Sequence, residues 1–108
     1  MPGPLLLGID VGTTTCKAAV VDADGRELSH GRASTPWQAV PTGGDLDPEA
    51  LMAAVEVAAA TAVAGAPDGP IAGVGVTGMA ETGVLLDPDG CRAYRLEGLE
   101  GRPLAWVR

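Results

Sequence analysis

Leu5 to Ile9 is a short, unbroken apolar run, the pattern of a central strand covered on both faces. The run ends there, and Asp10-Val11-Gly12-Thr13-Thr14 reads as a tight turn. Cys16 to Asp22 predicts a second strand, rich in Val and Ala. Ala23-Asp24-Gly25 is a hairpin signal, and Glu27 to Ser34 alternates weakly as a third strand. Residues 8–34 thus predict antiparallel strands joined by two tight turns. Pro36, Pro41 and Gly43-Gly44 interrupt the next stretch, which predicts a loop over 36–45. Asp47 is a helix N-cap, with Pro48 at the first helical position and Glu49 in the first turn. Leu51, Val55, Ala58, Ala59 and Ala62 recur at helical spacing until Gly65 and Pro67 stop the helix. Ile71 to Thr77 is a further apolar run, expected to return parallel to the first strand through the helical crossover. Gly83 to Asp87 predicts one more short strand and Pro88-Asp89-Gly90 a turn. From Cys91 to Arg108 the pattern fades. The order of strand, strand, strand, helix, strand is that of a mixed α/β domain whose first hairpin faces a cleft.

Composition narrows the class. With 108 residues there is room for one domain. The apolar fraction is 46%, yet the aromatic residues are confined to Trp37, Tyr94 and Trp106, so the core must be built from small and branched side chains. The formal charge of −7 argues against nucleic acid as a partner, because its phosphates need a basic face. A nucleotide remains compatible, since a site can be locally positive in an acidic protein. Cys16 and Cys91 lack metal-ligand spacing and predict free thiols in a reducing compartment. Met1-Pro-Gly-Pro lacks the basic start of a signal peptide, and no apolar run approaches the ~20 residues of a membrane span. The expectation is a cytoplasmic protein with no membrane partner.

The first turn carries the chemistry. Asp10, ending an apolar strand, is expected to be a buried carboxylate, which is costly unless a cation neutralises it. Gly12 permits close backbone approach, and successive N–H groups in such a turn form an anion nest. The hydroxyls of Thr13, Thr14 and Thr15 add donors, and Lys17 adds a cation at the same edge. A site that wants both an anion and a cation suggests a metal–phosphate ligand, with Asp10 facing a divalent metal that rides on the phosphates. Other signals are weaker. Gly73, Gly75 and Gly78 form a formal GxGxxG, but a dinucleotide fold needs a helix next and another strand is expected instead. His30 has no partner pattern and reads as a solvated strand position. Trp37 and Trp106 read as packing residues. Asp22, Asp24, Asp87 and Asp89 flank glycine turns, where Asp is favoured for backbone reasons.

The stretch GIDVGTTTCKAAVVDADG resembles the first phosphate motif of the FGGY carbohydrate kinases, members of the actin-like ATPase superfamily with a ribonuclease-H-like fold. GGDLDPEAL at 43–51 and IAGVGVTGMAETGVLLDPDG at 71–90 resemble the segments that follow in that family, in the same order, so the likeness runs over about residues 5–90. The resemblance implies ATP-dependent phosphoryl transfer to a sugar or polyol hydroxyl, with ATP and Mg²⁺ as cofactors. It places Asp10 at the Mg–phosphate site and Gly12, Thr13, Thr14, Thr15 and Lys17 at the phosphates. It places Met79, Ala80, Glu81 and Thr82 on the substrate loop. Glycerol kinases carry Arg-Glu-Thr in that loop; here Ala80-Glu81-Thr82 keeps the glutamate and lacks the arginine, so no particular sugar is implied. Family members are much longer. Their second domain brings the adenine pocket and the catalytic aspartate, so the catalytic base is expected outside this chain. The reading is therefore a partial N-terminal kinase domain with a divergent end at 91–108. It is expected to be inactive alone and to meet a missing C-terminal domain or to self-associate. The rival reading is a non-catalytic module that binds nucleotide or a partner chain weakly.

Overall fold

The computed structural model describes residues 3–79 and residue 88. The strand expected at 83–87, the turn at 88–90 and the divergent end at 91–108 lie outside the described residues, residue 88 apart. The elements are β1 (Leu5–Val11), β2 (Thr15–Val21), β3 (Glu27–Ser34), β4 (Trp37–Val40), β5 (Gly43–Leu46), α1 (Pro48–Gly65) and β6 (Ile71–Gly78).

The main sheet has the order β3-β2-β1-β6. β1, β2 and β3 pair antiparallel, and β6 returns parallel to β1 through α1. The turn after β2 is fixed locally. Asp22 Oδ1 accepts from the N–H groups of Asp24 and Arg26, each at 2.9 Å, and Gly25 takes φ 83°.

Residues 36–45 differ from the expected loop: they form a second, two-stranded sheet of β4 and β5. The breakers punctuate a hairpin. Pro41 and Thr42 make its connection, and Gly43 follows at φ 141°, a backbone angle that suits glycine.

The core forms where α1 lies on β2 and β3. Leu5, Ala18, Val20, Ala58 and Ala62 are buried, with Leu7, Ile9 and Ile71 packed around them. The helix approaches the sheet closely because the facing residues are small. A Cβ at Gly31 would fall 2.2 Å from the Ala58 carbonyl oxygen. Ser29 Oγ donates to the Ala62 carbonyl, tying the same seat. By length and composition α1 could also cross a membrane (18 residues, mean hydropathy 1.3), a property the sequence pattern was not expected to contain. Here its Ala58–Ala62 stripe packs on the sheet.

The helix start is capped as expected: Asp47 Oδ1 accepts from Glu49 N–H at 3.0 Å, with Pro48 opening the helix. Asp47→Ala should therefore cost about 1 kcal/mol of stability. Urea denaturation would register it as a lower midpoint at unchanged slope.

Candidate functional site

Strand parity decides which residues meet at the surface. In β1, Leu5, Leu7 and Ile9 point to the α1 side, so Gly8 and Asp10 occupy the open face. Asp10 is exposed, which corrects the expectation of a buried carboxylate. The apolar run before it reads as buried on both faces, but the open face holds only Leu6, Gly8 and Asp10, and Leu6 is 40% exposed.

Register then brings four polar side chains into one row. Asp10 pairs with Lys17 on β2 and with Thr77 on β6, and Lys17 pairs with Arg32 on β3. The row Arg32–Lys17–Asp10–Thr77 crosses the whole sheet and lines a cavity of about 680 Å³. The neighbouring row is nearly bare, with Ala19, Gly8 and Gly75 beside His30. His30 is exposed, and its Nδ1 lies 3.5 Å from the Glu27 carboxylate on the cavity rim. Neither Lys17 nor Arg32 forms an ion pair among the described residues. Two cations directly opposite one another weaken an antiparallel pair. Asp10 offsets that repulsion only on the Lys17 side. Arg32 and Thr77 carried no sequence signal, because only strand register places them beside Lys17 and Asp10.

The turn between β1 and β2 is tightly closed. Gly12 N–H donates to the Thr15 carbonyl at 3.2 Å, and a Cβ on Gly12 would lie 2.6 Å from that same oxygen. The glycine is required by the turn itself, a nearer reason than the ligand approach expected from the sequence. Thr13 and Thr14 are exposed, Thr15 is half-buried, and Lys17 is exposed one pleat further on. The N–H groups of Thr13 and Thr14 make no hydrogen bond among the described residues. Behind the turn, Thr35 and Trp37 reach its carbonyls. Trp37, expected only to pack, thus bonds directly to the turn.

Met79 follows β6, is half-buried, and donates its N–H to the Val11 carbonyl at 3.2 Å. The expected substrate segment therefore leaves the sheet beside the first turn, because parallel β1 and β6 end at the same edge. With Val11, Leu51 and Gly78, Met79 borders a second hollow there. Ala80, Glu81 and Thr82 lie outside the described residues. Gly73, Gly75 and Gly78 all sit within β6 rather than in a strand-to-helix turn, as their sequence context anticipated. Cys16 is a buried free thiol, 3.7 Å from Thr35 Oγ1.

The donor set bears on a metal. Among the described residues no group of three or more His, Cys, Asp or Glu side chains could cage one. A single accessible carboxylate beside threonine hydroxyls fits Mg²⁺, which keeps several waters and is held largely by a substrate's phosphates.

Among curated proteins no sequence matches significantly. Solved structures do. The chain is similar to xylulose kinase from Rhodospirillum rubrum, at 26% identity and TM-score 0.74, over 82% of this chain and 19% of that one. It shares the fold of gluconate kinase from Lactobacillus acidophilus, at 24% identity and TM-score 0.70, over 81% of this chain and 18% of that one. The chain thus spans less than a fifth of either kinase. The mixed-sheet α/β fold and a match of residues 5–96 to the family's N-terminal domain agree: the chain belongs to the FGGY family of carbohydrate kinases.

Proposed function

We propose that this chain supplies the phosphate-binding part of an ATP-dependent carbohydrate kinase. The observation that carries the reading is the first turn, whose N–H groups at Thr13 and Thr14 make no hydrogen bond among the described residues and stand beside Lys17 and Asp10. Thr13, Thr14 and Thr15 hold the phosphate oxygens through N–H and hydroxyl donors, and Gly12 keeps the turn closed. Lys17 neutralises their charge. Asp10 would hold Mg²⁺ through its carboxylate; when bound, the ion supplies neutralisation of charge on the phosphates. Transfer of this kind rests on positioning and electrostatics rather than on covalent chemistry. The acceptor is a sugar or polyol hydroxyl, brought near by the segment that begins at Met79 and continues through Ala80, Glu81 and Thr82. Glu81 accepts hydrogen bonds from its neighbouring hydroxyls. The base that takes the acceptor's proton comes from a second domain.

Amide-resolved NMR of the 108-residue chain during Mg-ADP titration tests the first half of this reading. Shifts should concentrate at 12–17. Lys17→Ala should weaken binding roughly 10-fold or more, the scale of a lost charge-assisted contact. Shifts absent at millimolar nucleotide, or confined to other parts of the sheet, would overturn it.

A further inference from the structure

The segment 35–37 reaches three consecutive carbonyls of the phosphate turn. Thr35 Oγ1 donates to the Gly12 carbonyl at 2.7 Å. Trp37 Nε1 donates to the Thr13 carbonyl. The Thr35 backbone N–H donates to the Thr14 carbonyl at 3.0 Å. Every peptide bond here is trans, so each C=O points opposite to the N–H of the next residue. Holding the oxygens of Gly12, Thr13 and Thr14 toward the segment turns the N–H groups of Thr13, Thr14 and Thr15 away from it. Those are the donors an anion would use.

The geometry points to Thr35 and Trp37 as positioning residues that keep the anion nest open before a ligand arrives. The inference rests on the phosphate reading of the turn. Free of this strap, successive peptides in a short turn could rotate and present oxygens to the site, which would repel phosphate. Fixing them in advance removes an ordering cost from binding. The strap is built to persist. Thr35 is buried, and its hydroxyl sits against the buried Cys16 thiol. The Trp37 ring lies on Gly44, where even a Cβ would stand 3.2 Å from a ring carbon. Both residues lie beyond β3, outside the hairpin whose turn they hold.

Three variants of the 108-residue chain test this. Trp37→Phe keeps an aromatic ring, though a smaller one, and removes the donor. Thr35→Val keeps the shape and removes the hydroxyl. Thr35→Ser restores the hydroxyl. The first two should weaken Mg-ADP binding roughly 3- to 10-fold each, the scale of one neutral hydrogen bond. Backbone order parameters at Thr13 and Thr14 should fall from the rigid value of about 0.85. Thr35→Ser should return both readouts toward the parent. If Trp37→Phe and Thr35→Val lower only the melting temperature and leave affinity and order unchanged, the two residues merely pack and the proposal fails. If the parent chain binds neither Mg-ADP nor inorganic phosphate, the proposed function fails. The order parameters then decide the strap by themselves: a loss at Thr13 and Thr14 sustains it, and no change overturns it.

Discussion

Asp10→Asn is expected to lower kcat by roughly 10²-fold or more in an active kinase carrying this segment, while the melting temperature hardly moves. The fold-change is the scale of a lost electrostatic contact at a reacting centre. Asparagine keeps the size and the hydrogen-bonding oxygen but removes the charge that would hold Mg²⁺. The folding side of the expectation follows from exposure. Asp10 stands on the open face between Lys17 and Thr77, so its replacement neither empties nor fills the core. Exposed substitutions of this sort usually stay within ~0.5 kcal/mol. Sugar affinity, which the proposal assigns to the segment beginning at Met79, should change little. Steady-state kinetics at varied magnesium, together with a thermal melt, separate the two roles. Full activity with easy unfolding would make Asp10 a structural turn acid and remove the metal from the proposal.

Gly31→Ala is expected to be the most damaging single change to the fold. The added methyl carbon would sit 2.2 Å from the Ala58 carbonyl oxygen, 2.7 Å from Thr61 Cβ and 3.0 Å from Ala62 N. Two of these are helix backbone, which no rotamer change can move aside. The helix must lift from the sheet, and the buried contacts of Ala58 and Ala62 with Ala18 and Val20 go with it. Overpacking typically costs 1–3 kcal/mol and sometimes more. A domain's whole stability is about 5–15 kcal/mol. A loss of roughly 3 kcal/mol or more should appear in urea denaturation as a much lower midpoint. Gly75→Ala is the control: a Cβ there meets nothing within 4 Å, so its melt should match the parent. If Gly31→Ala melts with the parent, the seat of α1 on β3 is wrong.

Local chemistry was legible in the sequence. The turn acids, the Asp47-Pro48 helix start and the Gly12–Thr15 turn each depend on residues a few positions apart. Their backbone preferences act over that same distance. The family likeness was legible because each of its three segments, GIDVGTTTCKAAVVDADG, GGDLDPEAL and IAGVGVTGMAETGVLLDPDG, is continuous in the chain. What the sequence left undetermined depends on register and parity. An unbroken run such as Leu5–Ile9 does not say which alternate positions face a helix, so only packing of α1 against Leu5, Leu7 and Ile9 left Asp10 exposed. Breakers at Pro36, Pro41 and Gly43 suit a loop and a hairpin equally, and pairing of β4 with β5 chose the hairpin. Arg32 lies beside Lys17 only because β3 pairs with β2 in one register. Thr35 and Trp37 hold Gly12 and Thr13 across more than twenty positions of chain, and no spacing rule within a helix or strand anticipates such a bond. The sequence determined which chemical groups the turn contains. The tertiary structure decided which way its peptide groups point, because that orientation is fixed by hydrogen bonds from residues the chain brings back only on folding.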